Sequence, residues 1–288
     1  MDRDKYRINP QTRVRIDELP QWEETGTTEE EIRAKWIPAA VERLQDLQLR
    51  LHAEEKNGIL VVLQALDAAG KDEIITFIFS HLLPQGLRVT PTKMPSAKEQ
   101  KHDFLWRIHD GLPERGQIAI LNRSYYEDVI SLLVYDGEGG VPVADLQSDK
   151  EPWELRCEHI NQFEKYLVES GFPVVKFFPY VSKEVQRDRL LERMKNPDKQ
   201  WEFSFSDIED REKWDSFHDA YEKILDRTST KWAPWYALPA DNDWYTRYLA
   251  AEIMIDVLEK LNPQFPVMED AEKEKLEEAI QKLEHGHA

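Results

Sequence analysis

The chain has 288 residues, of which 41% are hydrophobic and 33% charged, enough apolar matter for one large core with embellishments. No apolar run reaches the roughly eighteen residues of a spanning helix, and the start MDRDKYRINPQTR has no apolar stretch behind its charges. A net charge of −18 argues against a nucleic-acid or anionic-membrane surface, which needs a positive field, but leaves room for a polyanionic substrate in a locally positive cleft.

In chain order, Thr28-Glu29-Glu30-Glu31 reads as a capping box opening a helix to about His52, with a possible kink at Pro38. Five short apolar runs follow, at 58–63, 87–89, 117–121, 173–178 and 235–238. Most precede helical spacing, which predicts an α/β fold with a mainly parallel five-stranded sheet flanked by helices. The glycines and proline of 136–142 predict a loop, and the charged stretch after Pro266 an exposed helix. The expected organisation is a helical extension over 1–55, a catalytic domain over 56–262 and a charged tail over 263–288. The lone Cys157 has no cysteine partner and reads as a packing thiol, which suits a cytoplasmic location. Trp214, Phe217 and Tyr221 recur at helical spacing and read as core.

The first apolar run ends in Gln64-Ala65-Leu66-Asp67-Ala68-Ala69-Gly70-Lys71-Asp72, followed by the apolar stretch from Ile74. A strand, a small-residue turn and a helix start aim backbone N–H groups at one anion, and Lys71 adds a movable positive charge. This is a P-loop (Walker A) pattern broken twice. Ala65 replaces its first glycine, and Asp72 replaces the hydroxyl residue that would hold magnesium. A carboxylate among phosphate-binding amides is repulsive unless a metal lies between, so Asp67 reads as a magnesium anchor. The third run leads into Asn122-Arg123-Ser124-Tyr125-Tyr126-Glu127-Asp128, where Arg123 could clamp phosphate oxygens, and Glu127 and Asp128 could face a metal or a nucleoside.

These segments, with Pro84-Gln85-Gly86, Asp103-Phe104-Leu105-Trp106-Arg107, Leu112-Pro113-Glu114-Arg115-Gly116, Lys176-Phe177-Phe178, Trp214-Asp215, Ala233-Pro234-Trp235 and Pro239-Ala240-Asp241, resemble the second polyphosphate kinase family. The likeness runs over roughly residues 30–260 and is similar to the subgroup using AMP and ADP. It implies a P-loop kinase-like fold, magnesium or manganese, inorganic polyphosphate, AMP, ADP or ATP, and a homodimer or homotetramer. On that likeness Asp67, Lys71 and Arg123 are catalytic. Ala68, Ala69, Gly70, Lys71 and Asp72, with Arg187, Arg189 and Arg193, hold polyphosphate. Lys93, Arg107, Asn122, Arg123, Tyr126 and Glu127 hold the nucleotide. Four positions depart from the family pattern: Ala65 and Glu73 stand where glycine is frequent, and Glu202 and Asp243 where lysine is usual.

Between Lys176 and Lys199 the basic residues Lys176, Lys183, Arg187, Arg189, Arg193, Lys195 and Lys199 outnumber the acids, a local reversal in an acidic chain. Arg189 and Arg193 share a helix face, as do Lys183 and Arg187. The resemblance makes this stretch, about 182–205, a lid that closes over the substrates and excludes water. The expected function is polyphosphate-dependent nucleotide phosphorylation. Its rivals are an ATP-dependent nucleoside monophosphate kinase and a non-catalytic nucleotide- or polyphosphate-binding regulator.

Overall fold

The computed structural model describes residues 3–10, 12–143 and 149–285. The last three residues of the expected tail lie outside these. The five apolar runs are the strands β1 (Ile59–Leu63), β2 (Leu87–Pro91), β3 (Ile118–Asn122), β4 (Val174–Tyr180) and β5 (Trp235–Pro239). They form one parallel sheet in the order β2-β3-β1-β4-β5. β1 at the centre is fully buried, the signature of a strand covered on both faces.

Alternation within each strand divides the core in two. Ile59, Val61, Leu63, Ile118, Ile120, Val175 and Phe177 point to one face, Leu60, Val62, Ala119, Leu121, Val174 and Phe178 to the other. The first face packs on α2 (Ile37–Glu54), α3 (Lys71–Phe77) and α9 (Asp243–Leu261). The second packs on α4 (Glu127–Val134), α5 (Pro152–Glu169) and α8 (Trp214–Thr228), and here Trp214, Phe217, Tyr221 and Cys157 lie in the core as their spacing predicts. Burial pushes the Cys157 thiol up to about 12, so it packs as a thiol.

The first helix has two parts. α1 (Glu29–Glu31) runs through a π turn, Ile32–Trp36, into α2. Pro38 has no N–H to give the ladder, and the wider turn just before it is the form the expected kink takes. Half of the capping box forms: Thr28 Oγ1 accepts from the Glu31 amide at 3.2 Å, while the Glu31 carboxylate accepts from Thr27 Oγ1 instead. Between β4 and β5 lie α6 (Lys183–Lys195) and α7 (Ser206–Glu212). After α9 the exposed α10 (Asp270–Glu284) begins with a reciprocal cap between Glu269 and Glu272. Among the described residues no helix is long and apolar enough to cross a membrane.

Chain direction makes the site. From β1 the chain passes through α3 to β2 on one side, and from β3 through α4 and α5 to β4 on the other. The turns after β1 and β3 therefore meet at the carboxyl ends of adjacent strands, where open α/β sheets bind ligands.

Candidate active site

The turn from β1 to α3 carries two left-handed residues, Ala68 at φ 59° and Gly70 at φ 94°. Together they curl the loop around a small concavity that residues 67–73 line. Alanine in this conformation costs about 1 kcal/mol, and the surrounding contacts maintain it. Arg189 Nη1 donates to the Ala68 carbonyl at 2.9 Å, and Gln186 Nε2 to the Asp67 carbonyl at 3.0 Å. The first amides of α3 have no partner within the helix, as at any helix start, and border the same concavity. Lys71 is buried, its Nζ donating to the carbonyls of Ala65 and Leu66 at 3.2 Å each. Burial lowers its pKa, partly opposed by the Asp67 carboxylate.

The turn after β3 is stitched to this loop. The Arg123 amide donates to the Leu63 carbonyl at 3.0 Å, and Arg123 itself is left-handed at φ 60°. Its guanidinium pairs with Asp67 and lies 3.7 Å from Glu127 Oε2. Burial works against its charge, but Glu127 and Asp67 outweigh that and raise its pKa further. Asn122 Nδ2 donates to Asp72 Oδ1 at 2.6 Å, tying the end of β3 to the first turn of α3. Glu127 accepts from Gln64 Nε2 at 2.6 Å, and Ser124 Oγ donates to the other end of the Gln64 amide. Two polar residues given no role by the sequence, Gln64 inside the loop segment and Gln186 outside any motif, thus hold site residues in place.

Beneath this turn lies a wholly buried ion pair. Lys176 Nζ donates to Glu164 Oε2 at 2.7 Å, to the Thr228 carbonyl at 2.6 Å and to the Tyr126 hydroxyl at 3.1 Å. The Tyr125 and Tyr126 hydroxyls both donate to Glu164 Oε1. Two consequences follow for the sequence reading. Lys176 belongs to this core of β4 and not to the basic surface, because its strand is covered on both faces. Tyr126 is fully buried and supports the site from below rather than lining it.

Two cavities open over the turns. One, of about 270 Å³, is lined by the loop from Asp67 to Glu73, with Asn122, Arg123, Arg193 and Glu202 at its walls. The other, of about 510 Å³, is lined by apolar residues including Leu66, Ile130 and Phe217 and by polar ones including Lys93, Arg107 and Glu127. Asp67, Thr92, Lys93 and Arg123 line both. Arg107 is turned inward, donating to Asp128 at 2.8 Å and to the Lys93 carbonyl at 2.5 Å, which fixes the segment that presents Lys93. Asp207 borders the smaller cavity and Asp210 the larger, and burial raises the pKa of both.

α6 lies across the phosphate loop. Ser182 caps it, its Oγ accepting from the Val185 amide at 3.2 Å. The three arginines of the helix diverge. Arg189 reaches the loop, the Ala240 carbonyl at 2.5 Å and the Asp243 carboxylate. Arg193 lines the smaller cavity, with Nε 3.4 Å from Glu202 Oε2. Arg187 is exposed and pairs with its neighbour Asp188 at 2.8 Å. A period of 3.6 residues cannot aim three positions at 187, 189 and 193 to one side: 189 and 193 turn toward the loop, and of the three only Arg193 lines the smaller cavity.

Among the described residues no group of three or more histidine, cysteine, aspartate and glutamate side chains could hold a metal by itself. A magnesium ion needs no such cage, since it is commonly bound through one or two carboxylates plus substrate phosphates. Asp67, a hard oxygen ligand where the two cavities join, fits that use.

The polyphosphate kinase 2 family profile matches residues 27–266. The chain is 40% identical over 269 residues to an AMP/ADP-polyphosphate phosphotransferase of Meiothermus ruber, covering 93% of this chain and 97% of that protein. It is 38% identical over 282 residues to an ADP-polyphosphate phosphotransferase of Rhodopseudomonas palustris, covering 97% of each. The crystal structure of polyphosphate kinase 2 from Arthrobacter aurescens superposes with a TM-score of 0.84 at 32% identity over 94% of both chains. With the profile spanning most of the sequence and the fold in agreement, the chain belongs to the polyphosphate kinase 2 family.

Proposed function

We propose that this enzyme moves a terminal phosphoryl group reversibly between inorganic polyphosphate and AMP or ADP, with magnesium or manganese. The observation that carries the reading is the meeting of two cavities at Asp67 and Arg123. The smaller is lined almost wholly by polar and small residues, with Lys71, Lys93, Arg123 and Arg193 among the carboxylates of Asp67, Asp72, Glu73, Glu202 and Asp207, and suits a phosphate chain with its metal, which offers no apolar surface. The larger has both apolar and polar lining residues and suits a nucleotide, whose base is flat and apolar-faced and whose phosphate would point to Lys93 and Arg123. The Meiothermus and Rhodopseudomonas relatives are named for the same donor class and for AMP/ADP and ADP as acceptors.

An oxygen of the acceptor phosphate attacks the terminal phosphorus of the chain. The bond to the next phosphate breaks, and the shortened chain leaves with the electron pair. No side-chain nucleophile is needed, so the protein contributes position and charge. Arg123 lines both cavities and is placed to neutralise the transferring group. Lys71 exchanges its two carbonyl partners for phosphate oxygens, which favour its charged form. Asp67 orients Arg123 and would hold the metal. The ion supplies further charge neutralisation. α6 docks on the loop through Gln186 and Arg189 and keeps water from the anhydride.

The test is to offer purified protein AMP or ADP with magnesium and either polyphosphate or ATP. Turnover with polyphosphate supports the reading. Turnover of AMP with ATP alone would make it an ATP-dependent monophosphate kinase, and saturable binding without turnover a regulator. A cytoplasmic location and a homodimer or homotetramer complete the reading, and light scattering would measure the subunit count.

A further inference from the structure

Two of the three arginines on α6 are engaged by carboxylates from elsewhere in the fold. Asp243, the first residue of α9, pairs with Arg189 and also lies 3.8 Å from Arg247 Nη2. Glu202, in the short 3-10 turn Gln200–Glu202, faces Arg193 from the wall of the smaller cavity. Neither carboxylate is sealed away. The Asp243 side chain is 45% exposed and that of Glu202 33%, so water can solvate either one once its arginine turns to another anion. The arginines themselves are far more enclosed, at 18% and 16%. A phosphate chain entering this cavity therefore meets Arg193 already beside an anionic partner, whereas Arg189 does not line the cavity but holds the carbonyl of Ala68, which does, and reaches the chain only by leaving Asp243.

We propose that Asp243 and Glu202 are specificity-determining carboxylates that compete with the phosphate chain for Arg189 and Arg193. They set the polyphosphate concentration at which α6 engages its substrate. The inference rests on the reading of the smaller cavity as the polyphosphate site. Partly exposed ion pairs are weak, so the competition is a tuning effect rather than a block. Because the two carboxylates come from separate elements, each acts on a different arginine of α6, and their effects add.

The experiment measures KM for polyphosphate and kcat at saturating nucleotide for Asp243→Asn, Glu202→Gln and the double variant. Both substitutions keep a hydrogen-bond acceptor and remove only the charge. Glu184→Gln, exposed on the same helix, makes the same change in net charge away from the cavity and serves as control. The expected result is a KM lowered about threefold by each single variant and about tenfold by the pair, with kcat within about twofold and the control unchanged. The gain shrinks as salt rises, and direct titration of polyphosphate without nucleotide shows the same order. Unchanged or raised KM in both single variants, with Arg189→Ala raising it, overturns the competition but keeps the polyphosphate site. A KM indifferent to Arg189→Ala and Arg193→Ala as well rejects the site assignment itself. If one variant fails to fold, the other on its separate element still decides.

Discussion

Asn122 Nδ2 lies 2.6 Å from Asp72 Oδ1, joining the last residue of β3 to the first turn of α3. An aspartate at 122 would set two carboxylates against each other at that distance, on the wall of the smaller cavity and next to Arg123, where the acceptor phosphate is proposed to meet the chain. The neutral amide leaves one negative charge fewer facing a monophosphate dianion. Both AMP and ADP are therefore expected as acceptors, with AMP passing through ADP to ATP. Asn122→Asp should depress AMP use more than ADP use. Chromatographic time courses with each nucleotide and polyphosphate check this, and a wild type that consumes ADP but leaves AMP untouched would contradict it.

Removing charge at the junction of the cavities should be costly. Asp67→Asn and Lys71→Ala are each expected to lower turnover by about a hundredfold or more, with the fold retained by circular dichroism. Retention of half the wild-type rate by either variant would refute the role given to it. Lys71 also predicts a pH effect. Burial lowers its pKa, so the free enzyme loses this positive charge at lower pH than an ordinary lysine, and kcat/KM falls as pH rises through that point. Bound phosphates favour the charged form, so the corresponding fall in kcat should lie at higher pH.

The arginines of α6 should separate by their placement. Arg189→Ala and Arg193→Ala are expected to raise KM for polyphosphate about tenfold, the loss of a charge-assisted contact. Arg187→Ala, exposed and paired with Asp188, should change it by less than about twofold. Three near-neutral results would reduce α6 to a solvated helix.

The buried pair under the site makes a stability prediction. Lys176→Met leaves Glu164 charged and unpaired in the core and should cost about 3–5 kcal/mol in urea denaturation. Adding Glu164→Gln should recover part of that loss. A Lys176→Met cost below about 1 kcal/mol would show that the pair does not bear on stability.

The five strands were legible because each is a short apolar run, and the loop after β1 because small residues before Lys71 permit only a tight turn. Strand order was not, since pairing joins residues far apart in sequence. Lys176 looked like part of a basic surface because charge counting ignores the burial of its strand, and its partner Glu164 lies on another element. The departures at Glu202 and Asp243 were visible as residues, but not that each faces an arginine of α6. Arg187, Arg189 and Arg193 could be named as a group, whereas their separation into one solvent-facing and two loop-facing side chains needed the helix to be placed. Gln64 stands in the quoted loop segment and Gln186 in none, and the role of neither was legible, because a buried amide that orients a neighbour has no characteristic spacing.

The central claim is that a phosphoryl group passes directly between the two cavities where Asp67 and Arg123 meet. Polyphosphate labelled with radioactive phosphorus, mixed with enzyme, magnesium and either AMP or ADP, tests it in a single turnover. Label should appear in the nucleotide as the chain shortens by one phosphate per nucleotide formed, with none on the protein and the transfer lost in Arg123→Ala. Label held covalently on the protein, or chain shortening that releases only free phosphate while nucleotide is present, would contradict the account.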